Sequence, residues 1–160
     1  MGLSGLLRRV RWGPLRSLAN AHVPFRLYRL IMENGGRRQS RLLALDAVSG
    51  DLDPYAFDRV PQANELTRLE TRNCLPASLA ETHGREIVVE CARREVYRTG
   101  FFRVRGLQIR AELLPTELHI PYWIGFFGSE DRARLAVLDA VQRRAQGAKA
   151  RAFFQTWLLS

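Results

Sequence analysis

The stretch that decides the fold is RLAVLDAV at residues 134–141, because residues 41–48 carry nearly the same letters, RLLALDAV. Six of the eight positions are identical. A similar lead-in precedes each copy, HVPF at residues 22–25 and HIPY at residues 119–122. From proline to aspartate the copies run 22 and 18 residues. Because a surface turn tolerates such a difference in length, the repeat predicts two related strand–turn–strand units.

The first unit contains the clearest local signal, the Asn-Gly-Gly run at residues 34–36. It separates apolar stretches at 23–33 and 38–45, and these residue types supply the positive φ that both central residues of a type I′ turn require. Residues 46–50 (DAVSG) predict a second turn, and residues 52–57 a third strand that Pro54 confines to an edge.

The second unit begins with a predicted helix over residues 77–98, which Gly100 ends. Residues 107–113 alternate between apolar and polar and predict a half-buried strand. Residues 115–117 then predict a turn, and residues 118–127, which are apolar on both faces, predict a strand covered on both sides.

The second copy of the repeat is expected to end differently from the first. Residues 132–138 predict the returning strand. Asp139 and Gln142 stand in a capping-box arrangement that predicts a helix from 140 to 158. The same Leu-Asp-Ala-Val thus leads once into a glycine turn and once into a helix. Both aspartates are therefore expected to bond the local backbone.

The fold class that follows is α+β. We expect an antiparallel sheet of about six strands from two related hairpin units, packed by two longer helices, with a short basic amphipathic helix at the N-terminus. The expected organisation is one domain over residues 1–160. It comprises a basic N-terminal helical segment (1–21), the first hairpin unit (22–57), a connector (58–76) and the second unit (77–160).

The first unit is an amphipathic strand, a turn and a second strand that ends in LDAVSG at residues 45–50. This arrangement is similar to the closing hairpin of PepSY-type domains. The resemblance covers about a fifth of the chain directly, and the second unit looks like the same order with the glycine turn replaced by a helix. It implies a small α+β module with a binding or inhibitory role, often outside the cytoplasm, and it carries no catalytic residues. The chain lacks the uninterrupted apolar run of a secretory signal, so we expect a cytoplasmic protein, with the membrane periphery as the alternative.

The net charge of +9 suggests an anionic partner, such as an acidic protein, a membrane surface or a nucleic acid. The arginines are scattered in pairs, however, which favours a generally basic, solvated surface over a dedicated anion-binding face. Arginine accounts for 24 of the 25 basic residues, a bias that a GC-rich genome would also produce. The candidates for anion or membrane binding lie in the N-terminal segment: Arg8, Arg9, Arg11, Trp12 and Arg16. The candidates for a binding surface on the sheet are Arg26, Arg29, Arg103, Arg105 and Trp123.

Catalytic and metal-binding patterns are missing from the sequence. Cys74 and Cys91 lie 17 residues apart, which fits neither a zinc site nor a redox pair. We predict no metal and no cofactor. An enzyme would have to use either Asp46 with Asp139, or the one helical face that carries His83, Glu86 and Glu90.

The function that fits best is a non-enzymatic binding or accessory module that engages another protein or an anionic surface. The alternative is a basic nucleic-acid-binding protein that uses arginines and aromatic residues of the sheet. The sequence leaves a homo-oligomer open.

Overall fold

The computed structural model describes residues 13–100, 105–129 and 133–160. The described elements are strands β1 (Leu15–Asn34), β2 (Arg37–Asp46) and β3 (Tyr55–Phe57), helix α1 (Glu81–Gly100), strands β4 (Gln108–Phe127), β5 (Arg134–Asp139) and β6 (Arg144–Ala145), and helix α2 (Ala148–Leu159). The strands form one six-stranded antiparallel sheet in the order β3-β2-β1-β4-β5-β6. The predicted α+β class, the six-stranded sheet and the two longer helices are confirmed. Neither described helix is both long and apolar enough to cross a membrane.

The first hairpin joins β1 to β2 through Gly35 and Gly36, whose φ angles are 56° and 78°. Both angles fit the positive-φ turn predicted there. The turn lies one residue later than Asn-Gly alone suggests, since Asn34 is already paired with Arg37 in the ladder. The Asn34 side chain has a different role, because its Oδ1 accepts a hydrogen bond from the Arg105 backbone N–H at 2.7 Å.

The predicted N-terminal helical segment is wrong for residues 15–21, because β1 begins at Leu15. Residues 1–12 lie outside the described residues. The Pro14 carbonyl accepts a hydrogen bond from the Gly128 backbone N–H at 3.2 Å. Sheet pairing of this kind overrides the helical preference of a short leucine- and alanine-containing stretch.

Two other predictions in the second half are also wrong. The chain makes no turn at residues 115–117, and β4 runs straight through them, since the fixed φ of proline is compatible with extended backbone. Residues 140–147 are not helical: they make a turn, with Arg143 at a φ of 54°, followed by the short strand β6. The count of six strands thus arises differently from the prediction, because two predicted strands merge into β4 and β6 is added.

The chain divides into two compact units. The larger unit, Val23–Ile120, is built around α1, which buries Val88 and Ala92 against the sheet. The buried residues of this core are Tyr28, Leu30, Met32, Leu45, Val88 and Ala92. The connector before α1 contains one 3₁₀ turn, Ala63–Glu65.

The smaller unit consists of the described part of Met1–His22 together with Pro121–Ser160. Helix α2 packs on β5 and buries Ala150, Phe153 and Phe154. The ring of Phe154 lies 5.3 Å from that of Tyr122 and 5.0 Å from that of Phe153, centroid to centroid. Val141, by contrast, is exposed in the turn after β5.

Helix α1 comes close to β1 at Gly84. The Tyr28 side chain points at this glycine, and its buried Oη has no hydrogen-bond partner among the described residues. Burial raises the pKa of Tyr28, so the hydroxyl stays protonated at neutral pH. A glycine inside a helix costs about 1 kcal/mol relative to alanine, and here that cost permits the close approach of helix and strand.

G84A should therefore lower the free energy of unfolding by about 1–3 kcal/mol, although alanine is the better helix former, because the added Cβ would overlap Tyr28 Oη. Y28F should cost less than G84A alone and should recover much of the loss in the double variant, since it removes the hydroxyl that the added Cβ overlaps. G100A is the control, because a Cβ there meets no atom of the described residues within 4 Å. Urea unfolding of the four variants tests this, and equal stability of G84A and G100A would contradict it.

Candidate functional site

A groove in the larger unit lies between α1 and the edge of the sheet formed by β2 and β3, with a volume of about 940 Å³. Its floor is apolar and includes Leu30, Met32 and Ala92, all three of which belong to the buried core. Four arginines and two acidic residues line it: Arg29, Arg41, Arg94, Arg98, Asp58 and Glu95. We call this the first groove.

Three exposed side chains, which we call the rim arginines, stand over this floor: Arg41 from β2, and Arg94 and Arg98 from α1. Arg41 Nη1 lies 2.8 Å from Glu95 Oε1, and Arg94 Nε lies 3.1 Å from Glu90 Oε1. Arg98 makes no ion pair among the described residues. Exposed ion pairs of this kind contribute only about 0–1 kcal/mol, so an incoming carboxylate can compete for the guanidinium groups.

A second groove, of about 640 Å³, shares Met32 and Arg41 with the first, so the two follow one another along β2. Its described lining holds three arginines, Arg37, Arg41 and Arg105, and no carboxylate. Val96 and Leu107 supply apolar surface. Together the grooves combine apolar area with positive charge, which suits a ligand that carries both apolar groups and carboxylates.

The predicted site residues fall in different places. Arg8, Arg9, Arg11, Trp12 and Arg103 lie outside the described residues. Arg16 is exposed on β1 rather than on a helix.

The predicted sheet-surface residues that the structure describes lie in different local surroundings. Arg29 lines the first groove and lies 3.7 Å from Glu112 in an ion pair, and Arg105 lines the second groove. Arg26 is half-buried and its Nη1 donates to the Leu79 carbonyl at 2.6 Å, so it fixes the chain ahead of α1. Trp123 is half-buried in β4, in the smaller unit.

Sequence reasoning missed Arg37, Arg41, Arg94 and Arg98 as members of one site. A partial signal exists, since Arg94 and Arg98 are four residues apart and therefore share a helical face. Arg41 joins them only because α1 packs beside β2, and local periodicity does not encode that contact.

The helical face of His83, Glu86 and Glu90 does not converge on one site. His83 Nδ1 lies 3.3 Å from Glu86 Oε2, and both side chains are well exposed. The Glu90 carboxylate instead forms ion pairs with Arg93 and Arg94. The described residues contain no group of three that could hold a metal ion.

The two repeated aspartates are buried and serve the backbone, as expected. Asp46 Oδ1 accepts hydrogen bonds from the N–H groups of Val48 and Ser49, and its Oδ2 accepts one from Leu52, at 2.8–2.9 Å. Asp139 Oδ1 accepts hydrogen bonds from the backbone N–H groups of Val141 and Gln142, both at 2.9 Å. Burial raises the pKa of Asp139, and these two bonds only partly oppose the shift.

D46N should lower the free energy of unfolding by about 1–3 kcal/mol, because one carboxylate oxygen becomes an amide that cannot accept a backbone N–H. D53N is the control, since Asp53 is exposed and its replacement should change stability by less than about 0.5 kcal/mol. Urea unfolding at neutral pH measures both. An effect of D46N as small as that of D53N would show that the three bonds are dispensable.

Asp139 should give stability a distinctive pH dependence. The pKa of Asp139 is raised in the folded state. Its contribution to the free energy of unfolding is therefore fully present below pH 3.8, the pKa in the unfolded chain, and is lost as the pH rises through the folded-state pKa. D139N removes this titration. The stability of D139N minus that of the unsubstituted protein should therefore increase from about pH 3 to about pH 7. Urea unfolding across that range tests it, and a difference that stays constant or falls would refute it.

No protein-family model matches the chain, and no match was found among curated proteins or solved structures.

Proposed function

We propose that this protein is a non-enzymatic binding module that engages an acidic, partly apolar segment of another protein through the two grooves of its larger unit. The observation that carries the proposal is the row of exposed rim arginines above an apolar floor of Leu30, Met32 and Ala92. A glutamate side chain fits this combination of apolar floor and arginines. Its methylene groups can cover the floor while its carboxylate reaches a guanidinium.

A protein segment fits the first groove better than a nucleic acid does. Single-stranded bases need aromatic faces on which to stack. The only aromatic residue in the described lining is Phe57, whose ring is half-buried and stacked on Tyr55 at 6.4 Å.

We further propose that the two hairpins derive from one duplicated unit of the PepSY type. Equivalent hydrogen bonds support this: the Ala47 N–H donates to the Pro24 carbonyl at 2.8 Å, and the Ala140 N–H donates to the Pro121 carbonyl at 3.0 Å. Asp46 and Asp139 then close the turns with matching bonds. We also propose a cytoplasmic protein that can reach an anionic membrane surface through the basic residues of its N-terminal segment.

The binding proposal predicts that an eight-residue blocked peptide of alternating glutamate and valine binds the full chain, and that R41Q/R94Q/R98Q weakens it at least about tenfold. Three lost carboxylate contacts of about 0.5–1 kcal/mol each give that factor. R68Q/R72Q/K149Q is the matched control, because it removes the same charge from exposed positions outside both grooves. Calorimetry at two salt concentrations measures the affinities, and thermal unfolding checks that both triple variants fold.

Three outcomes would contradict the proposal. Peptide binding that is absent at about 1 mM, or weakened equally in both triple variants, would remove the groove as the site. An oligonucleotide that binds more tightly than the peptide and loses affinity in R41Q/R94Q/R98Q would assign the groove to nucleic acid. Anionic vesicles that bind more tightly, with the same dependence on the rim arginines, would assign it to a membrane surface.

A further inference from the structure

One edge of β2 is only partly occupied. On one side β1 pairs with β2 along its whole length, from Arg37 opposite Asn34 to Asp46 opposite Phe25. On the other side β3 pairs only with the three residues Leu42–Ala44. Among the described residues, no backbone hydrogen bond reaches that side of β2 at residues 37–41. We call this stretch the open edge.

The hairpin register determines which groups the open edge presents. A two-residue turn makes Asn34 and Arg37 a hydrogen-bonded pair, so the backbone groups of residues 37, 39 and 41 point toward β1. Those of Arg38 and Ser40 consequently point outward, in line with the bonds that Leu42 and Ala44 direct toward β3. Another strand could continue that ladder beside residues 38–41, end to end with β3.

Both grooves lie along the open edge. Arg37, Gln39 and Arg41 project from β2 toward α1, where they line the second groove together with Val96 and Thr99. Side chains alternate along a strand, so every second residue of an added strand would project over the grooves. There it would meet the apolar floor and the rim arginines.

Charge decides what kind of strand fits. The open edge carries Arg37, Arg38 and Arg41, all exposed. Positive side chains on an edge repel another copy of the same edge and so protect a protein from edge-to-edge association. The same charges attract a strand whose groove-facing side chains are carboxylates.

We propose that the open edge of β2 receives an extended acidic segment of a partner protein as an additional strand of the sheet. This rests on the proposed function and specifies its mode: the backbone of the partner hydrogen-bonds Arg38 and Ser40, while its alternate glutamates or aspartates enter the grooves. The main-chain bonds supply affinity, and the arginines select the partner by charge.

Two N-methylated versions of the alternating glutamate–valine peptide test the mode, one methylated at every glutamate nitrogen and the other at every valine nitrogen. A strand uses only one of its edges, so one version should bind at least about tenfold more weakly, and the other within about twofold of the parent. Loss on valine methylation indicates antiparallel addition, and loss on glutamate methylation indicates parallel addition, with the glutamates facing the grooves in both cases.

A substitution in the protein gives an independent test. S40P removes an outward N–H at an edge position where proline is tolerated, whereas S40T retains it. We expect S40P to weaken binding of the parent peptide at least about tenfold and S40T to change it little. If S40P fails to fold, the N-methylated peptides still decide the question. Binding that both methylated peptides retain, but that R41Q/R94Q/R98Q loses, would overturn strand addition and leave the proposed function standing. Loss of dependence on the rim arginines would overturn the proposed function itself.

Discussion

A buried carboxylate at the end of β2 determines how the larger unit is assembled. Asp46 gathers three backbone N–H groups and so fixes the turn that leaves the sheet. The Ala47 carbonyl in that turn accepts the N–H groups of Ser78 and Leu79 at 2.9 and 2.8 Å, just ahead of α1. The start of α1 is therefore held in place through a turn that depends on Asp46, a side chain that lines neither groove.

The arginines of this protein divide by what surrounds them. Arg26 has a structural role, since its guanidinium donates a hydrogen bond to the Leu79 carbonyl. The rim arginines, by contrast, make at most exposed ion pairs, which cost little to exchange for contacts with a ligand. The net charge of the chain is therefore a weaker indicator of a binding site than the few positions where an arginine lies beside apolar surface.

Local chemistry made part of this structure predictable. The sequence predicted the first hairpin, although the turn is centred on Gly35 and Gly36 and not on Asn34 and Gly35. It also predicted that Asp46 would bond the local backbone, which is confirmed. The ends of the strands were not predictable from local sequence. Strand β1 extends back to Leu15 and β4 continues through Pro115 because both pair with neighbouring strands.

The site shows the same division between local and long-range information. The sequence marks Arg29 and Arg105 as exposed basic positions. It does not show that Arg41 lies beside Glu95, 54 residues further along the chain, because that contact depends on how α1 packs on the sheet.

The tip of the first hairpin is fastened on both sides to the segment that enters β4. The Gly35 N–H donates to the Arg105 carbonyl at 2.8 Å, and the Arg105 N–H donates to Asn34 Oδ1 at 2.7 Å. With β3 paired near its other end, β2 is anchored at both ends and is ordered before any partner arrives. The conformational entropy lost on association would then come almost entirely from the partner, so even a segment that is disordered when free could bind with useful affinity.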